Sequence, residues 1–202
     1  MSLLNTIKSL SEKYSQQVVE LRRHLHANPE LSYEEFNTVK YVAQQLRSFG
    51  IEPTEVATTG LLAEIKGKNP TKRTIALRAD MDALPIVEKN SIPYKSKNPG
   101  VMHACGHDVH TSSLLGTAKI LNEVKDQFEG TVRFLFQPGE EKNPGGASYM
   151  IRDGALENPK PAAIIGQHVF PLLPVGKIGF REGMYMASAD EIYLKVIGKG
   201  GH

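Results

Sequence analysis

Short apolar runs alternate with segments of helical periodicity through most of this 202-residue chain, and this alternation limits its fold more than any other feature. Four runs with the composition of strands cover residues 61–65, 74–79, 131–136 and 162–166. Between the second and the third run, residues 111–124 carry apolar side chains at helical spacing. Strands that alternate with helices are typical of an α/β sandwich with a mainly parallel central sheet.

Two amphipathic helices are predicted before the first strand. Residues 5–27 place apolar side chains at three- and four-residue steps along one face. Ser32 and Glu35 have the spacing of a capping box, and the apolar stripe after them continues until Gly50. A further, shorter helix is predicted over residues 146–152.

The last part of the chain has a different pattern. Residues 175–186 are rich in Gly and Met without a clear period, and residues 190–197 alternate apolar and polar side chains as a half-buried strand does. A single strand cannot form a stable domain. We therefore expect an α/β domain over residues 1–186 and the start of a second, truncated domain over residues 187–202.

Composition and charge disfavour several classes of function. The chain has 24 basic and 22 acidic residues, interspersed to a net charge of +2, and so offers no basic stripe to a nucleic acid. Its N-terminus lacks the apolar segment of a secretory signal, and no run approaches the roughly 20 apolar residues of a membrane span. We expect a cytoplasmic protein that binds neither nucleic acid nor membrane.

The single cysteine lies in the sequence Cys-Gly-His-Asp-Val-His. Cys105 and His107 on a tight glycine-containing loop can point into one cavity, where a thiolate and an imidazole suit zinc or a similar metal. A buried cysteine beside ordinary loop histidines is the alternative, but His103 and His110 on either side favour the metal. Asp108 and His110 suit an outer position, where they would fix the tautomer of a ligand histidine.

An adjacent carboxylate pair, Glu140 and Glu141, follows the third strand-like run. Adjacent side chains on an extended segment project in different directions, so one carboxylate can bind a metal while the other reaches a metal-activated water. Such a carboxylate can accept the proton of the water and pass it to a leaving group. The alternative is a solvated acidic loop.

Further candidates follow the other strands. His168 comes after the fourth run and would be either a metal ligand or a hydrogen-bonding cap of the strand. Asp80 and Asp82 come after the second run, where they could bind a metal, orient its ligands or pair with Arg78. Ligand sites in such sheets lie at the carboxyl ends of the strands, so Asp80, Glu140 and His168 are expected to converge.

Together these residues resemble the M20 metallopeptidase family, and within it the amidohydrolase branch of hippurate hydrolases, N-acyl-amino-acid amidohydrolases and plant auxin-conjugate hydrolases. The matching stretches cover almost the whole chain in the order of the family: residues 22–26, 29–31, 78–85, 103–110, 137–141, 145–156, 166–168 and 198–202. Their combination is far more specific than any one of them.

The resemblance implies a zinc-peptidase-like catalytic domain interrupted by a smaller ferredoxin-like (α+β) lid domain, of which this chain would contain the first strand. In the family the chain continues through the lid and returns to the catalytic domain, where a further histidine completes the metal site. The resemblance therefore implies that residues 1–186 form a catalytic, metal-binding domain that is incomplete at its C-terminal part. The lid commonly forms a homodimer.

The resemblance also implies roles for individual residues. Metal ligation falls to Cys105, His107, Glu141 and His168. Glu140 matches the general base, and Asp82 matches the acid that supports a ligand histidine. His202 matches a lid histidine that stabilises the oxyanion in the site of the neighbouring subunit. Asp80 occupies a position where related branches carry a histidine, so its role is less well defined.

The implied function is hydrolysis of the amide bond of N-acyl amino acids or related small amides, by metal-activated water with a glutamate as general base. One or two divalent ions per subunit are expected. A thiolate with imidazoles favours zinc, while manganese, cobalt and nickel also suit carboxylates and histidines. The alternatives are a dipeptidase or carboxypeptidase of the same family, and a metal-binding fragment that is catalytically incomplete.

Overall fold

Residues 2–188 and 190–201 are described by the structure, a computed structural model. The chain divides into two units, Met1–Val169 and Phe170–His202. All the helices and strands of the described residues lie in the first unit. They are α1 (Leu3–Ala27), α2 (Phe36–Ser48), β1 (Thr54–Val56), β2 (Gly60–Lys66), β3 (Thr74–Asp80), α3 (His107–Glu123), a 3-10 turn (Lys125–Gln127), β4 (Thr131–Gln137), α4 (Gly146–Arg152) and β5 (Ile164–Gly166).

The five strands form one sheet in the order β1-β2-β4-β3-β5. β3 pairs in parallel with both β4 and β5, whereas β2 is antiparallel to both β1 and β4. The predicted α/β fold is confirmed, and its parallel part is the half formed by β4, β3 and β5. Asp80 pairs with Gln137, and Arg78 pairs with Gly166, so these three strands end at the same edge of the sheet.

Apolar side chains pack on both faces of the sheet. Phe134 and Phe136 of β4 are fully buried in a core shared with α1, α2 and α3, while Leu135 between them belongs to a smaller cluster that includes Met150 of α4. Successive side chains of a strand point to opposite faces, which accounts for this division. The sheet is therefore covered by helices on both sides, as the continuous apolar runs indicate.

Helix α3 begins at His107, four residues before the predicted start. Gly106 precedes it with a φ of +98°, in the left-handed region that glycine adopts without strain. Apolar periodicity cannot locate such a start, because the first turn carries polar side chains. His107 is therefore the first residue of the helix, and the helical backbone fixes its position.

The capping box predicted from Ser32 and Glu35 is not formed. Helix α2 begins at Phe36, and no side chain of its N-cap residue bonds to the helix. Instead Glu30 accepts hydrogen bonds from the backbone N–H groups of Asn37 (2.9 Å) and Thr38 (2.7 Å). A carboxylate from outside the local motif thus satisfies the free N–H groups of the helix end, and Ser32 and Glu35 are left to bond elsewhere.

The strand predicted over residues 190–197 is also not formed. In the described part of this segment, residues 190–201, there is no strand, and the alternating side chains of Ile192, Leu194 and Val196 are 81, 88 and 94% exposed. A strand requires a partner for its backbone hydrogen bonds and for its apolar face, and residues 190–201 have none. The lid domain of residues 187–202 stays a prediction, and His202 lies outside the described residues.

Among the described residues, none of the helices combines the length and the apolar character that crossing a membrane requires.

A buried ionic network joins α1 to the first turn of α3. His26 Nδ1 lies 2.8 Å from Asp108 Oδ2, and His26 Nε2 lies 3.1 Å from Glu88 Oε1. Arg22 Nε is also 2.8 Å from Asp108 Oδ2. Carboxylates only accept hydrogen bonds, so both ring nitrogens of His26 satisfy their partners when the ring is protonated. The hydrogen bond with Asp108 raises the pKa of His26 against the opposing effect of burial.

We predict that His26→Ala lowers the free energy of unfolding by about 3–5 kcal/mol, because it removes the buried donor that Asp108 and Glu88 share. The stabilisation is complete below the unfolded pKa of about 6.5 and is lost as pH rises through the raised folded pKa. Urea unfolding of both proteins at a series of pH values measures the effect.

His24→Ala is the control, since His24 lies on the same helix but is exposed. The prediction fails if both substitutions lower the free energy of unfolding equally. It also fails if the effect of His26→Ala is the same below and above the pKa of His26, because the network would then not be what holds α1 to α3.

Candidate metal centre

Four segments meet at the edge where the parallel strands end. They are the loop after β3 with Asp82, the loop after β4 with Glu140 and Glu141, the residues after β5 with His168, and the first turn of α3 with His107. The parallel pairing of β4, β3 and β5 brings their carboxyl ends together, as the sequence predicts for a ligand site in such a sheet.

His107 lies at the centre of this group and its side chain is fully buried. Its Nδ1 lies 2.9 Å from the backbone oxygen of Asp82 and 3.2 Å from Asp82 Oδ1. Two acceptors at Nδ1 require that this nitrogen carries the proton, which leaves the lone pair on Nε2. Nε2 is 3.8 Å from both Glu140 Oε2 and Glu141 Oε1.

Negative charge surrounds the ring of His107. Burial opposes protonation, yet the hydrogen bond with Asp82 and the charge of Asp80 raise the pKa of His107. Burial and the charge of Glu141 also raise the pKa of Glu140. A carboxyl group whose pKa is raised by a neighbouring carboxylate, beside a histidine whose pKa is also raised, indicates a site that attracts a cation.

Asp82 connects His107 to the carboxylate pair. In addition to its contacts with His107, its Oδ2 accepts hydrogen bonds from Ser32 Oγ (2.6 Å) and from the backbone N–H of Glu141 (2.9 Å). Burial alone would raise the pKa of this carboxyl, but these hydrogen bonds lower it. A charged Asp82 therefore fixes the orientation of His107 and the backbone position of Glu141 together.

Cys105 and His168 form the other side of the site. Cys105 Sγ lies 3.4 Å from His168 Nε2, and His168 Nδ1 donates a hydrogen bond to the backbone oxygen of Val169 (2.7 Å). The lone pair of His168 is thus on Nε2 and faces the sulfur. Burial and then the charge of Glu141 raise the pKa of Cys105 to about 12, so the thiol is neutral without a nearby cation.

Asp80 lies beside His107, with its Oδ2 3.7 Å from His107 Nε2, and is held in a tight set of polar contacts. Its Oδ1 is 2.7 Å from His110 Nδ1 and its Oδ2 is 2.6 Å from Arg78 Nη1, while Thr111 Oγ1 donates to its backbone oxygen (2.7 Å). Burial would raise the pKa of Asp80, but His110, Arg78 and His107 lower it to about 2. His110 Nε2 in turn accepts from the backbone N–H of Val169 (2.9 Å), next to His168.

His103 and Asp108 do not join the group. His103 is buried, and neither of its ring nitrogens has a hydrogen-bond partner among the described residues. Burial lowers its pKa to about 4, so the ring is neutral. Asp108 points to the network with His26. His103 and Asp108 are therefore not among the candidate metal ligands.

The donor atoms fit a divalent cation. Among the described residues there are three sets of donors in which the ligand atoms lie within 4.8 Å of one another. His107 belongs to each set: Cys105, His107 and His168; His107, Glu140 and Glu141; and Asp80, His107 and His110. His107 Nε2 and Glu141 Oε1 are buried without a hydrogen-bond partner among the described residues. Ligand atoms of a tetrahedral zinc ion lie roughly 3.3–3.8 Å apart, which matches this pair and the separation of Cys105 from His168.

The third donor set is the weakest candidate, because both carboxylate oxygens of Asp80 are already held by His110 and Arg78. The other two sets share His107, whose Nε2 is unpartnered among the described residues, as is Oε1 of Glu141 in the second set. They contain sulfur, nitrogen and oxygen donors, a combination found at zinc sites.

Comparison with known proteins agrees with this geometry. A sequence profile described as "Peptidase family M20/M25/M40" matches residues 76–196. The chain belongs to this family. It is 48% identical over 197 residues to the N-acyl-L-amino acid amidohydrolase of Geobacillus stearothermophilus, which covers 97% of this chain and 52% of that protein. It is 43% identical over 205 residues to thermostable carboxypeptidase 2 of Saccharolobus solfataricus, covering all of this chain and 51% of that one.

The fold also matches a solved M20 structure, the YXEP protein of Bacillus subtilis, described as a dinuclear metal binding peptidase. The TM-score is 0.80 at 45% identity, over 85% of this chain and 48% of that one. This chain spans about half the length of the curated relatives it matches. The M20 resemblance and the zinc-peptidase-like fold predicted from the sequence are confirmed.

Three residues between α1 and α2 reach the site and are not predicted from the sequence. Ser32 bonds to Asp82, Tyr33 bonds to the backbone of the loop after β4, and Glu35 accepts from a backbone N–H in the same loop. Ser32 and Glu35 have the spacing of a capping box, which predicts local hydrogen bonds. Their actual partners lie 50 and 104 positions away in the chain. Nothing in the sequence around Tyr33 indicates its partners.

Proposed function

We propose that the protein is a metal-dependent amidohydrolase that cleaves the amide bond of N-acyl amino acids. The observation that carries the proposal is the buried, unpartnered pair of His107 Nε2 and Glu141 Oε1, 3.8 Å apart and beside the half-exposed Glu140. The similarity to the N-acyl-L-amino acid amidohydrolase supports the choice of substrate.

The proposed ligands of a divalent ion are Cys105, His107, Glu141 and His168, which are drawn from the two donor sets that do not include Asp80. Such an ion would polarise the amide carbonyl and lower the pKa of water. We favour zinc because the set contains a thiol and two imidazoles. A second ion is suggested by the description of the YXEP protein as dinuclear.

Glu140 is the proposed general base. Its carboxylate is 41% exposed and lies beside His107, so it can reach both the site and an incoming substrate. Its raised pKa, caused by burial and by Glu141, makes it a better proton acceptor than an ordinary carboxylate. Glu140 accepts a proton from the attacking water, and the same carboxyl group then donates it to the leaving amine nitrogen.

Asp82 is the proposed positioning acid. It holds the proton on His107 Nδ1 and bonds to the N–H of Glu141, so it directs one lone pair and one carboxylate toward the same point. We further propose that the protein is cytoplasmic and, from the family resemblance, that it forms a homodimer through the lid. In that dimer His202 would stabilise the oxyanion in the partner's site.

A carboxypeptidase is the second candidate, because the thermostable carboxypeptidase of S. solfataricus is 43% identical over the whole chain. Both activities require the same centre and differ in the group on the acyl side of the bond. Turnover of N-acetyl-L-methionine compared with that of N-blocked dipeptides by the zinc-loaded full-length protein separates the two.

We predict that Glu140→Gln lowers kcat for N-acetyl-L-methionine by about 10²–10⁴-fold, because a neutral amide cannot accept the proton of the water. Zinc content should be unchanged, since Glu140 is not one of the proposed ligands. Steady-state kinetics and metal analysis of the same preparation measure both. Glu12→Gln, an exposed position on α1, is the control. A Glu140→Gln protein with the kcat of the wild type would exclude this mechanism.

We predict that Cys105→Ser weakens zinc binding by at least about tenfold, because the hydroxyl is a poorer ligand for zinc than a thiolate. Competition with a chromogenic chelator measures the affinity without a substrate. His24→Ala should bind zinc as the wild type does, since His24 is exposed and stacks on Tyr41. Wild-type affinity in Cys105→Ser would remove the cysteine from the ligand set.

A further inference from the structure

The residues between α1 and α2, numbers 28–35, form a connector that contacts the loop of the two glutamates on both sides. Before the pair, Glu35 Oε1 accepts a hydrogen bond from the backbone N–H of Gly139 (2.7 Å). After the pair, Tyr33 Oη donates to the backbone oxygen of Lys142 (2.7 Å) and accepts from the N–H of Gly145 (3.1 Å). Glu140 lies between these anchors.

Glu35 is suited to hold a backbone group in place. Its side chain is fully buried, and it has no cationic partner among the described residues. Burial raises its pKa, while the hydrogen bonds from Thr59 Oγ1 (2.6 Å) and Gly139 oppose that rise. A buried carboxylate depends on such donors, so the loop cannot move away from Glu35 without a large cost in free energy.

Tyr33, which contacts the loop after the glutamate pair, is fixed by its backbone conformation and by close packing of its ring. Its backbone has a φ of 67°, a left-handed conformation that is uncommon for a residue other than glycine. Its ring lies so close to Gly139 that a Cβ atom there would be 2.3 Å from a ring carbon. Its ring also meets the ring of Tyr149 edge to face, with centroids 5.6 Å apart. A strained backbone persists where the surroundings fix it, and such positions cluster at functional sites.

We propose that Tyr33 and Glu35 are positioning residues that clamp residues 139–145 and so hold Glu140 where it can transfer a proton. The proposal rests on the proposed function, in which Glu140 is the general base. Asp82 anchors the backbone of the glutamate pair from a separate direction, chiefly through the N–H of Glu141, and the clamp adds anchors before and after Glu140. A displacement of about 1 Å at a reacting group can reduce a rate by about 10²-fold.

Tyr33→Phe and Glu35→Gln test the clamp. The first removes only the hydroxyl, and the second keeps the volume while replacing one acceptor oxygen by an NH₂ group. The matched controls are Tyr41→Phe, whose hydroxyl bonds to none of the described residues, and Glu34→Gln, an exposed neighbour. All four variants are made in the full-length protein and loaded with zinc.

Two readouts are expected to change together. Hydrogen exchange of the backbone N–H groups of residues 138–146, followed by mass spectrometry, should be at least about fivefold faster in Tyr33→Phe and Glu35→Gln. For N-acetyl-L-methionine, kcat should fall at least about tenfold while KM and zinc content stay within about twofold, as expected for a misplaced base. The controls should match the wild type in both readouts.

The clamp would be overturned if exchange in the loop were unchanged in both variants, if kcat were unchanged where exchange is faster, or if the controls changed equally. Thermal unfolding of each variant shows whether it folds. If Glu35→Gln does not, Tyr33→Phe decides the question alone. If the wild type does not hydrolyse the amide, the proposed function fails, and hydrogen exchange still shows whether the clamp exists.

Discussion

The hydrogen bond between His107 Nδ1 and the backbone oxygen of Asp82 is the contact on which the candidate centre depends. It fixes the proton on one ring nitrogen and leaves a lone pair on the other, which faces the carboxylates of Asp80, Glu140 and Glu141. Every donor set in the described residues includes His107. Without this bond the ring could turn or change its tautomer, and the sulfur and carboxylate donors would have no common neighbour.

The surroundings keep that bond in place from several directions. Asp82 is held by Ser32 and by the N–H of Glu141, while Asp80 is held by Arg78 and His110. The first turn of α3 is tied to α1 through Asp108. These buried charges are paired with one another, so the excess negative charge is concentrated where the glutamates and His107 meet. Paired groups that surround a few unpartnered donor atoms hold those atoms in place, as the outer groups of a metal site do.

The sequence predicts the parts of this arrangement that depend on local pattern. Four of the five strands, all four helices and the chemical character of Cys105, His107 and the glutamate pair follow from periodicity and spacing. Convergence of the loops follows from the parallel pairing of β3 with β4 and β5. The connector could not be predicted, because Ser32 and Glu35 fit a capping box equally well and their true partners are distant in the chain. The strand expected over residues 190–197 was wrong for a related reason, since alternation shows which face could be buried but does not supply a partner.

Anomalous X-ray scattering at the zinc absorption edge, recorded from crystals of the zinc-loaded protein, would locate the ion directly. If His107 is the shared donor, the anomalous peak lies in contact with His107 Nε2 and Glu141 Oε1, with Glu140 beside it and outside direct contact. A peak held by Asp80 and His110 instead, or zinc bound only at surface residues away from His107, would contradict the account.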